Sequence, residues 1–80
     1  MDDDGDILLV LTNLPDAASA EALARRLVEA RLAACVNILA PCRSVYCWQG
    51  VIESADEVPL LIKVPRAGYA ALAAAIRAAH

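Results

Sequence analysis

Ala33-Ala34-Cys35-Val36-Asn37-Ile38-Leu39-Ala40-Pro41-Cys42-Arg43-Ser44-Val45-Tyr46-Cys47-Trp48-Gln49-Gly50 is the stretch whose reading decides the fold. It holds all three cysteines, the only tryptophan and one of the two tyrosines. Cys35 to Ala40 has strand character, with Val36, Ile38 and Ala40 alternating against Cys35, Asn37 and Leu39. Pro41 cannot donate to a ladder, so it marks an edge, a bend or a bulge. Beyond it Ser44, Tyr46 and Trp48 share one strand face, and Val45 and Cys47 share the other. Gln49-Gly50 then suits a tight turn, with glycine supplying a positive φ. The stretch is therefore a bent strand that enters a hairpin.

Upstream, Ile7-Leu8-Leu9-Val10-Leu11-Thr12 is apolar throughout and too short for a helix. It suits a strand covered on both faces or central in its sheet. Asn13-Leu14-Pro15 breaks it, and Asp16 is placed to cap a helix rich in alanine. Ala20, Leu23, Ala24, Leu27 and Val28 fall on one helical stripe, with Glu21 and Arg25 paired on the wet side. Downstream, Val51 to Glu53 begins the return strand, Ser54 to Glu57 is polar, and Leu60 to Val64 is a second buried run. Pro65 and Arg66 open a last helix, on which Tyr69, Leu72 and Ile76 share a face. The order is β-α-β-β-α, an α+β chain. It matches the ferredoxin-like βαββαβ plan with the final strand missing, and the uncapped helix end at His80 points the same way. Residues 1–6 form an acidic flexible tail, and 7–80 form the single domain.

Eighty residues bury a small core, and 60% hydrophobic composition overstates it because much of that is alanine and no Phe is present. Subunit association is the expected remedy. A net charge of -3 and a pI of about 4.8, with seven scattered basic residues, exclude a nucleic-acid partner. The Met-Asp-Asp-Asp start is unlike a secretory leader, and no run reaches membrane-spanning length, so a cytoplasmic protein with reduced thiols is expected.

Several chemistries use this architecture, and each leaves a residue signature. A soft-metal carrier needs Cys-x-x-Cys in the first β-α loop; Thr12 to Asp16 contains no cysteine. An acylphosphatase-type site needs a glycine cradle and an arginine there, and neither is present. RNA recognition needs aromatic and basic residues on the central strands, and these are aliphatic. No serine or cysteine has a general base beside it in the sequence, so no enzyme is read.

Four ordered blocks remain: Ala34-Cys35-Val36-Asn37-Ile38; Ser44-x-Tyr46-x-Trp48-x-Gly50-x-Ile52; Glu57-x-x-Leu60-Leu61-Ile62-Lys63; and Tyr69 with a helix reaching His80. Together they resemble the CutA divalent-cation tolerance family over nearly the whole chain from Ile7 onward. That family continues past the final His with a Pro-Tyr-Glu segment and a closing strand. The resemblance implies a homotrimer joined by strand pairing between subunits, and a link to copper or divalent-metal tolerance. By the same resemblance Cys35 and His80 become the candidate metal ligands. Cys35 also reads as a small core residue, and His80 as a plain helix-end imidazole. Tyr46 and Trp48 suit an interface or cleft wall. Lys63, unusual in a buried run, either snorkels or faces a cleft with Glu57 or an anion. The alternative function is a trimeric sensor that holds a small anion at inter-subunit clefts.

Overall fold

A computed structural model describes residues 6–79. Along the chain run β1 (Ile7–Leu14), α1 (Ala17–Glu29), β2 (Cys35–Ile38), β3 (Cys42–Trp48), β4 (Val51–Pro65), a 3-10 turn (Arg66–Gly68) and α2 (Tyr69–Ala79). This is the expected α+β order. The acidic tail assigned to residues 1–6 lies outside the described residues except for Asp6. That carboxylate accepts from the Arg66 guanidinium at 3.1 Å, and the Arg66 N–H donates to the Asp6 carbonyl.

Every strand pairing in the sheet is antiparallel and made with β4. The Val58–Pro65 half carries β1 along one edge, and Leu60–Lys63 carries β2 along the other. The Val51–Glu57 half carries only β3. Ser54 to Glu57, polar in the sequence, lies within β4, which runs through it for 15 residues. Those side chains are polar, yet their backbone has a full partner in β3, and the ladder decides.

β2 and β3 lie on the same edge of β4 and form one bent strand. Ile38 faces Leu60 and Cys42 faces Glu57, so residues 39–41 stand opposite only 58 and 59. The extra residue is a bulge, and Pro41 sits within it as its sequence required. The Leu39 N–H donates to the Pro59 carbonyl at 2.9 Å and bridges the step. The hairpin closes at Gln49 (φ 51) and Gly50 (φ 79), both in the left-handed region.

Both helices pack on one sheet face. Leu60, Ile62 and Val64 of β4 meet Ala20, Leu23 and Leu27 of α1 and Leu72 of α2 in the buried core. Val28, expected on that stripe, is 45% exposed and instead flanks a groove with Val36 and Ile38 beside the outer edge of β2. β1 departs further from expectation. It is an edge strand with Leu8 and Val10 packed inward, while Leu9 and Leu11 are 64% and 67% exposed. Among the described residues nothing covers its second face.

Local capping accounts for both ends of α1. The Ser19 N–H donates to Asp16 Oδ1 at 2.7 Å. That bond, reinforced by the Ser19 hydroxyl, holds the Asp16 carboxyl below its ordinary 3.8. α1 stops in a Schellman arrangement: Leu32 N–H to the Leu27 carbonyl, and Arg31 N–H to the Val28 carbonyl. Arg31 takes the left-handed position, φ 59, where glycine is usual.

A carboxyl with a depressed pKa stabilises the fold at neutral pH and loses that effect as pH falls through the depressed value. Asp16→Ala is therefore expected to lower the melting temperature at pH 7, with the gap to the parent closing in strong acid. Gly50→Ala is expected to destabilise by about 1 kcal/mol, because the turn demands a left-handed residue. Leu27→Ala, at a fully buried position, is expected to cost about 3 kcal/mol in denaturant melts.

Candidate functional site

Antiparallel register puts directly opposed residues on one sheet face. On the face away from the helices, Leu9, Lys63 and Cys35 form one row across β1, β4 and β2. Leu11, Leu61 and Asn37 form the next row. Farther along β4, Cys42 stands opposite Glu57, Tyr46 opposite Glu53 and Trp48 opposite Val51. The surface is thus an apolar floor with a thiol and an ammonium side by side, running into an aromatic-bearing hairpin.

Cys35 is half-buried on this open face. The register places it on the face away from the helix-side core. Its direct neighbour is Lys63, with Cβ atoms about 5 Å apart as in any cross-strand pair. Lys63 is half-buried and makes no ion pair among the described residues. Its expected cleft-mate Glu57 is six residues away on β4, roughly 20 Å of strand. Glu57 accepts instead from Asn13 Nδ2 at 3.4 Å. Asn13, which the sequence places in a break, lies within β1 opposite Pro59, with its amide turned toward the acid.

Tyr46 and Trp48 share a face as expected and are exposed. The opposite face of the hairpin is also open, with Val45 and Ile52 each 70% exposed and the ion pair Arg43–Asp56 at 3.4 Å beside them. His80 lies outside the described residues. Among the described residues no three of His, Cys, Asp and Glu come together as a metal cluster. Within one chain Cys35 is a single soft donor, and one thiol beside an ammonium does not make a cation site.

The residues that sequence reasoning did not assign to the site are Leu9 and Leu11. Their signal was present in the apolar character of both odd and even positions of β1.

Comparison with known proteins agrees with this geometry. A family model described as CutA1 divalent ion tolerance protein matches residues 8–80. The divalent-cation tolerance protein CutA of Pectobacterium atrosepticum is 41% identical over 94% of this chain and 68% of its own length. The mouse protein CutA is 37% identical over 95% of this chain, which spans only 43% of it. Among solved structures, the divalent cation tolerance protein from Thermus thermophilus superposes with a TM-score of 0.89 at 37% identity, covering 94% of this chain and 73% of that one. The PII-like protein CutA from Nostoc superposes at 0.82 with 42% identity, covering 90% and 67%. The ferredoxin-like fold expected from the element order is the fold of these neighbours.

All three thiols are free. Cys42 and Cys47 both lie in β3, five residues or about 16 Å apart along the strand, whereas a disulfide needs Cα atoms within about 7 Å. Mild oxidation followed by a non-reducing peptide map is expected to show no intrachain Cys42–Cys47 bond. Recovery of that bond would refute the continuous β3 strand.

Proposed function

This chain belongs to the CutA1 divalent ion tolerance family, and on that premise we propose that it acts as a homotrimer contributing to metal tolerance. It binds copper or another divalent cation at the seams between its subunits. The observation that carries the reading is the uncovered sheet face, where Leu9 and Leu11 stand in water beside Cys35 and Lys63. A contiguous apolar floor of this kind is characteristic of a surface meant for contact.

Two different backbone edges support assembly. Among the described residues β2 has no neighbour on its outer side, and Val51–Glu57 of β4 has none opposite β3. Joining one such edge to the other in a neighbouring copy is a heterologous contact, which closes into a ring when the rotation permits. It also satisfies backbone groups that would otherwise invite aggregation. Metal binding follows from assembly in this reading. Cys35 supplies a soft thiolate, and the rest of the donor set comes from His80 or another copy. The protein is a binding protein of the cytoplasm with no catalytic role. No described helix is long and apolar enough to cross a membrane.

Lys63 favours a second reading. An ammonium without an acidic partner on the contact face suits a small anionic ligand at the same seams, as in a sensor. Calorimetry of the reduced protein with Cu(I), Cu(II) and Zn(II) decides between the readings. Saturable binding lost in Cys35→Ser is expected; binding indifferent to Cys35 and His80 would sink the metal assignment. Sedimentation is expected to give three times the chain mass, and Leu9→Asp combined with Leu11→Asp a monomer. A monomeric parent would overturn the assembly.

A further inference from the structure

The cleft where the end of α1 meets the end of β4 takes no part in the contact face or the hairpin. It measures about 490 Å³ and is walled by Val28, Leu32, Val64, Pro65 and Ala71. Gly68 also lines it, and a Cβ there would stand 3.3 Å from Val64 Cγ2, so bare backbone forms that part of the wall. Among the described residues Arg31 is the one charged residue lining the cleft. Its guanidinium makes no ion pair among the described residues, whereas nearby Arg66 is already held by Asp6. The carbonyls at the end of α1 are occupied by the N–H groups of Ala30, Arg31, Leu32 and Ala33 and make little demand on the side chain. Arg31 nevertheless sits at the left-handed closing position, φ 59, where a β-carbon is strained and glycine is not.

We propose that this cleft binds a small amphiphilic carboxylate. The hydrocarbon body lies on the aliphatic walls, where burial is favourable, and the carboxylate meets the planar fork of Arg31. The volume falls within the ~300–1,000 Å³ of small-molecule sites. A lone cation at the rim of an apolar cleft selects an anion over a neutral or cationic ligand of the same shape. The rival account gives Arg31 only a favourable place at a helix C-terminus; it predicts no binding and no preference for charge.

The test is amide-resolved NMR titration of the whole chain with octanoate, octanol and octylamine. Octanoate is expected to saturate, shifting the amides of Leu32, Ala33, Gly68 and Ala71, with octanol weaker by about tenfold or more, the loss typical of a hydrogen bond to a charged group. Arg31→Gly is expected to melt higher than the parent, since the left-handed position relaxes, and to lose octanoate by about the same factor. Arg31→Gln, which keeps a long side chain without the charge, is expected to show the same loss. Equal affinity for octanol, undiminished binding by both variants, or shifts confined to the open sheet face would each overturn the proposal.

Discussion

The structure depends on one fifteen-residue strand and its backbone hydrogen bonds. Among the described residues β4 is the strand that every other strand pairs with. Its Val58–Pro65 half pairs with β1 throughout and with β2 over Leu60–Lys63, and it is a floor for both helices, while its Val51–Glu57 half extends beyond the core with β3 as its partner. A strand this long cannot be covered by helices of 13 and 11 residues lying on one face. The molecule accordingly measures 44 Å in its longest dimension and 22 Å in its shortest. One end is packed in two layers, and the other is a bare ribbon.

That geometry separates two kinds of surface. On the packed end, buried aliphatic side chains and capped helix ends supply the stability of a small domain. On the open face, side chains of similar chemistry have nothing above them. Leu11 and Ile62 are both large aliphatic residues on neighbouring strands, yet one is two-thirds exposed and the other fully buried. The alternation of the pleat and the edge position of β1 together set them apart. Cys35 falls on the open side of that alternation, and this places its thiol beside Lys63 and away from the helix-side core.

The bulge at residues 39–41 links these surfaces. One extra residue against Val58 and Pro59 redirects the strand as it leaves the sheet. Cys42, Tyr46 and Trp48 then project from the same side of the ribbon that Cys35 occupies in the sheet. Without the inserted residue the alternation would be carried to the opposite face. Pro41, which donates no backbone hydrogen bond, occupies a place where none is required.

Much of this was legible in the residues themselves, because local rules act over a few positions. The Asp16 cap, the α1 stripe, the Gln49-Gly50 turn and the bulge around Pro41 each follow from chemistry within about one turn or pleat. The order of elements follows from their sum. Four ordered blocks were enough to indicate the family, and a match across residues 8–80 agrees. What the sequence could not determine are relations set by register between distant strands. It showed that β1 is apolar on both sides but not that only one side is covered, since this depends on where two helices lie. It offered Lys63 a cleft with Glu57 or an anion because a lysine is unusual in an aliphatic run; within one chain six residues of extended strand hold Lys63 and Glu57 apart, and Asn13 donates to the acid. It left Cys35 between core and surface, because a side chain's face is decided only when the strand pairs with Lys63 and the helices choose their side.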